Sequence, residues 1–167
     1  METWMKDIQD RFEDGKGFKS IFHNERNRFL QEIWSQSMTA FDIPREVQVV
    51  IDSNNQLFMS VGSPSFVSFI GQDESLYGKD NEKKMKLPIK CWVHTHPFGK
   101  AYFSGTDIST INTWKPHMMS AIVLGDNEHQ IWQKVKPGIA KHIRYVTETI
   151  VELGTKNRVD KMVEELV

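Results

Sequence analysis

Cysteine is almost missing from this 167-residue chain, where Cys91 stands alone. A single thiol excludes an intramolecular disulfide and any zinc site built from several cysteines. Long apolar runs are missing as well. No stretch approaches the roughly 20 apolar residues of a membrane span. The opening segment METWMKDIQDRFEDGKG is charged and lacks the apolar centre of a signal peptide. Neither sign of charge is in excess: 21 Lys and Arg face 22 Asp and Glu, a net charge of −1. That balance gives no electrostatic reason to expect nucleic acid or an anionic membrane as the main partner. Internal repeats and low-complexity tracts do not occur. The expectation left standing is a soluble protein of the cytoplasm, with its oligomeric state open.

Apolar residues make up 39% of the chain, enough at this length to build a core without disulfides or a structural metal. In residues 1–20, Trp4, Ile8 and Phe12 recur every four positions and Gly15 and Gly17 follow. This predicts a short helix, read as an appendage to a main domain spanning 21–167. The segment NERNRFLQEIWSQSMTAF starts with Asn24, a good N-cap, and carries Phe29, Ile33, Trp34 and Met38 at helical spacing. It predicts the first core helix, ending before Asp42-Ile43-Pro44. EVQVVIDSNNQLFMSVG reads as two strands around the turn Asp52 to Asn55. SFVSFIG predicts a third strand, and the lysine-rich stretch 72–87 a solvated loop.

IKCWVHTH predicts a strand ending in His94 and His96, followed by a loop and a helix over TDISTINTW that Pro116 closes. SAIVLG and HQIWQKV predict two strands joined at Asp126-Asn127. Residues 141–153 alternate like a strand, whereas 157–167 carry a helix-like spacing. The order of elements predicts a mixed α/β (α+β) single domain.

The chemistry concentrates in HTHPFGKAYFSGTD, residues 94–107. Histidines at i and i+2 on a strand point to one face, so His94 and His96 can reach one ion. A catalytic zinc takes three protein ligands and keeps a fourth position open. Asp107 is the nearest carboxylate after the pair, and Gly99 and Gly105 let the chain fold back. A His-His-Asp set of this kind suits hydrolysis. Spacing alone leaves two other readings open: an HxH pair can be two strand histidines, and Ser104-x-x-Asp107 can be a helix cap.

His94-Thr95-His96-Pro97, six residues, then Ser104-Gly105-Thr106-Asp107 resembles the signature H-[ST]-H-P-x6-S-x2-D of the JAMM (MPN+) zinc metalloprotease family. The resemblance implies an MPN/JAB-like fold, with a central, mostly antiparallel sheet flanked by helices. It implies zinc on His94, His96 and Asp107, with Ser104 supporting the tetrahedral oxyanion. The substrate class it implies is a protein or peptide, ubiquitin-like conjugates included, cleaved at a peptide or isopeptide bond.

The family also uses an upstream glutamate, at the start of a strand after the first helix, as general base and then acid. Glu46 matches that position and lies 48 residues before His94. The glycine- and leucine-rich strand that often follows it in the family is Val47-Gln48-Val49-Val50-Ile51 here. Glu74 and Glu82 are the remaining choices. Two alternatives accompany the resemblance: a non-catalytic MPN-type scaffold, and a nucleic-acid-associated JAB-domain protein. By the resemblance, residues 72–87 and 97–103 are the segments expected to border a substrate groove; Phe98, Tyr102 and Phe103 either line it or pack under the loop.

Overall fold

A computed structural model describes residues 2–17, 28–62, 85–136, 138–152 and 155–166. The expected N-cap Asn24, the third strand in SFVSFIG, most of the lysine-rich stretch, and both Glu74 and Glu82 lie outside the described residues.

The first helix, α1 (Thr3–Asp14), buries Trp4, Ile8 and Phe12, the stripe its spacing predicted. The second, α2 (Arg28–Thr39), buries Phe29, Leu30, Ile33 and Ser37. A hairpin follows, β1 (Val47–Ile51) and β2 (Leu57–Val61), paired antiparallel from Val47↔Val61 to Ile51↔Leu57. Its turn is held by Asp52, whose carboxylate accepts the N–H groups of Asn54, Gln56 and Lys86 at 2.9, 2.8 and 3.0 Å. Asn55 takes the left-handed conformation there, with φ 59°, which an asparagine tolerates well.

β3 (Cys91–Thr95) precedes α3 (Gly105–Trp114) and a 3-10 turn at Lys115–His117 that contains Pro116. β4 (Ser120–Gly125), β5 (Glu128–Lys136), β6 (Ile139–Glu152) and β7 (Thr155–Leu166) complete the chain. Among the described residues, β1 to β7 form a seven-stranded sheet in the order β2-β1-β3-β4-β5-β6-β7. Every neighbouring pair is antiparallel except β3 and β4, so α3 sits in the crossover that a parallel pair requires. The fold is mixed α/β, as the element order predicted. Among the described residues no helix is long and apolar enough to cross a membrane.

Strand alternation gives the sheet two apolar faces. Val47, Val49, Ile51, Cys91, Val93, Ile122 and Leu124 pack with α1 and α2 in one core. The stripe of α1 belongs to this main core and forms no separate one. Val50, Phe58, Trp92, Ala121 and Trp132 pack on the opposite side with Ile111 of α3 and Met118. Burying each such valine or isoleucine contributes about 1.5–3 kcal/mol. Helix α3 turns Ile111 inward and leaves Ile108 half exposed.

The tail corrects one expectation. Residues 157–167 carry a helix-like spacing in the sequence, and the described part of that stretch, through Leu166, instead belongs to β7. That strand pairs with β6 without interruption from Glu152↔Thr155 to Lys141↔Leu166. Helical spacing is a local preference, and here a long backbone ladder to the preceding strand overrides it.

Candidate metal centre

Three elements converge on the end of β3. His94 and His96 share the face that carries Trp92, because they are two and four residues beyond it. β1 pairs antiparallel with β3 through Gln48↔His94. Continuing that register two residues outward brings residue 46 opposite residue 96, although 50 residues of chain separate them. The third contributor is the first turn of α3. Ser104 is its N-cap: Ser104 Oγ accepts the Asp107 N–H at 3.1 Å, and the Ser104 N–H donates to Asp107 Oδ2 at 2.9 Å. This capping box turns the Asp107 carboxylate back toward β3.

The loop between β3 and α3 is fastened to the β4–β5 hairpin. His96 N–H donates to the Leu124 carbonyl at 2.7 Å, Asp126 N–H to the Gly99 carbonyl at 2.9 Å, and Ala101 N–H to Glu128 Oε1 at 2.7 Å. Gly125 permits that approach, since a Cβ there would stand 2.2 Å from the Ala101 nitrogen. Phe98 occupies the turn with φ 61° and is 74% exposed, and Tyr102 is 54% exposed. Tyr102 meets the His96 ring edge-on at 5.1 Å.

Asp107 Oδ2 lies 3.0 Å from His94 Nε2 and 3.3 Å from His96 Nε2. One ligand atom from each of the three residues falls within 4.8 Å of the others, so the group can hold a metal ion. A four-coordinate zinc with bonds of about 2.0–2.1 Å sets its ligand atoms about 3.4 Å apart, close to these separations. His94 supplies the sharper test. It is buried, and neither ring nitrogen makes a hydrogen bond; the short approach of Nε2 to Asp107 lacks hydrogen-bond alignment. Orphaned nitrogens of this kind are costly and uncommon in a protein interior, and a cation on Nε2 would remove one of them.

The remaining contacts fix ring orientation. His94 stacks on Trp92 at 4.5 Å and 14°. Trp92 Nε1 in turn donates to Gln48 Oε1 at 3.2 Å. His96 Nδ1 sits 3.3 Å from the Lys100 carbonyl, an arrangement that puts the proton on Nδ1 and leaves Nε2 as the ligand atom. Glu46 Oε1 is 3.9 Å from His96 Nε2, with Glu46 itself buried.

The electrostatics sort the carboxylates into two kinds. Burial pushes the Glu46 carboxyl up to about 7; His96 opposes the rise and Asp107 adds to it. Burial would raise Asp107 too. Contact with His94 and His96, the charge of His94 and the Ser104 N–H outweigh it and hold Asp107 well below the usual carboxylate range. Burial lowers His94 below its ordinary value. It acts in the same direction on His96, where Asp107, Glu46 and the Lys100 carbonyl prevail and leave that imidazole raised. One carboxylate therefore stays ionised beside a cation-ready pair, and a second is poised to exchange a proton near neutrality.

The geometry thus brings together His94, His96, Asp107, Ser104 and Glu46. Ser104 acts as a helix cap, and among the described residues nothing accepts its hydroxyl proton. Sequence reasoning passed over Thr95, Ser37, Gln48 and Glu128, which hold the site in shape. No local pattern marks them, because their partners are remote in the chain. Comparison of the chain with protein-family models, curated proteins and solved structures finds no match to any of them.

Proposed function

We propose that this protein is a zinc-dependent metallopeptidase of the JAMM type, with an MPN-like fold, hydrolysing peptide or isopeptide bonds in proteins or ubiquitin-like conjugates. The observation that carries the reading is the convergence of His94, His96 and Asp107 with a second, buried carboxylate, Glu46, 3.9 Å from His96. The H-[ST]-H-P-x6-S-x2-D pattern of residues 94–107 supports it independently.

His94 Nε2, His96 Nε2 and an Asp107 carboxylate oxygen would hold the ion. Zinc in such a site supplies Lewis acidity and brings the pKa of a water down to about 7. Glu46 accepts the proton of the attacking water on its carboxylate and then delivers it to the departing amine nitrogen. A carboxylate close to the reacting atoms can both take and return a proton, which is what this task requires. Ser104, on the first turn of α3, donates its hydroxyl to the oxyanion as the carbonyl becomes tetrahedral. Trp92 and the Lys100 carbonyl keep the two imidazoles oriented throughout.

Elemental analysis of purified protein, paired with cleavage of ubiquitin-like conjugates and a peptide library, tests the reading. One zinc per chain and chelator-sensitive cleavage are expected. Protein that takes up no zinc on titration at neutral pH sinks it.

A further inference from the structure

The peptide groups on either side of Glu46 are held by two buried hydroxyls, and neither belongs to β1. Val47 N–H donates to Thr95 Oγ1 at 2.9 Å, Thr95 Oγ1 lies 2.8 Å from Ser37 Oγ, and Ser37 Oγ bonds the Arg45 carbonyl. The proton order follows from what each group can do. A carbonyl only accepts, so Ser37 gives its one hydroxyl hydrogen to Arg45. Ser37 must then accept from Thr95, whose oxygen keeps a lone pair for Val47 N–H. A directed chain results, running from Val47 N–H through Thr95 and Ser37 to the Arg45 carbonyl. Arg45 N–H closes it by donating to the Ser37 carbonyl at 3.0 Å, and Gly62 N–H holds the Glu46 carbonyl at 2.9 Å.

Thr95 stands between His94 and His96, and strand alternation turns it to the opposite face, toward α2. Both Thr95 and Ser37 are fully buried. One side chain therefore ties the strand bearing two of the three ion-holding residues to the backbone bearing Glu46. Catalytic geometry is sensitive to this kind of link, since a 1 Å misplacement can cost about 10²-fold in rate.

We infer that Thr95 and Ser37 are positioning residues for Glu46: their hydroxyl pair sets its backbone against the His94–His96–Asp107 group. The role given to Glu46 rests on the proposed hydrolase reading; the hydrogen-bond chain does not. Thr95→Val keeps the shape and deletes the hydroxyl, Ser37→Ala cuts the chain at its other link, and Thr95→Ser keeps the hydroxyl.

The test combines four measurements on the full chain: titration with zinc ion alone, amide exchange at Val47, steady-state kinetics, and a crystal structure of Thr95→Val. Zinc affinity should hold in all three variants. Val47 exchange in Thr95→Val should speed up by about tenfold or more, the scale of a lost buried hydrogen bond. In Thr95→Val and Ser37→Ala alike, kcat should fall by about tenfold or more with KM unchanged. Thr95→Ser should restore both readings. Should Thr95→Val fail to fold, Ser37→Ala carries the kinetic arm and the structure. Faster exchange with kcat intact and Glu46 still 3.9 Å from His96 overturns the inference and leaves the pair as packing between α2 and the sheet. Wild-type protein that binds zinc and cleaves nothing overturns the hydrolase reading alone. Positioning is then decided by the Glu46–His96 separation in the variant structure, where a shift supports it and an unchanged distance overturns it.

Discussion

Glu46 faces His96 across 3.9 Å because Gln48 pairs with His94. A one-residue slip of β1 against β3 would turn Glu46 to the α1–α2 side of the sheet. The proposed base is thus set by strand register, and it can be removed without disturbing the three residues that could hold an ion.

Glu46→Gln preserves shape and deletes the titrating group. Zinc content should stay at one per chain while turnover of a cleavable conjugate falls by at least about 10², the lower range for general acid–base catalysis. A fully active Gln variant would move the role to another carboxylate.

The same substitution separates Glu46 in a pH experiment on zinc-free protein. Its folded pKa is raised from 4.5 to about 7, chiefly by burial. The folded state therefore holds more protons than the unfolded state between those values. Stability from this group is fully present below 4.5 and is lost as pH rises through about 7. Urea unfolding at pH 5 and pH 8 should show Glu46→Gln gaining on wild type as pH rises. A variant that holds level with wild type or loses ground over that range contradicts the burial argument.

His96→Ala leaves one imidazole and one carboxylate, too few to retain zinc tightly. Isothermal titration should register a loss of most of the affinity. Unchanged affinity would mean that the ion, if bound, sits elsewhere.

Ser104 carries two separable duties. Ser104→Ala removes the acceptor of the Asp107 N–H and should lower stability by about 1 kcal/mol. It should also reduce kcat by about 10²–10³ through loss of an oxyanion donor. A stability loss with normal turnover would assign the hydroxyl to capping alone.

Gly125→Ala puts a Cβ 2.2 Å from the Ala101 backbone nitrogen, where no flexible side chain can yield. Overpacking of this kind costs about 1–3 kcal/mol or more. Thermal unfolding should register a clear drop, and a wild-type melting temperature would mean that the loop leading to Ser104 is free to move.

Residues 94–107 carry most of the site within fourteen positions. Alternation on a strand aims His94 and His96 together, and a Ser-x-x-Asp cap orients Asp107, so local rules suffice for the three residues that can hold an ion. The hairpin at Asp52–Asn55 and the stripe of α1 are local in the same way. Tertiary structure alone decided the rest. Nothing near Glu46 in the chain announces its neighbour, since the β1–β3 register determines it. The buried hydroxyls of Thr95 and Ser37 look like ordinary polar residues until α2 packs on the sheet. The helix-like spacing after Asn157 gives way to the β6 ladder in the same manner. Periodicity reports what one segment prefers, whereas register, burial and remote hydrogen bonds exist only once segments have met.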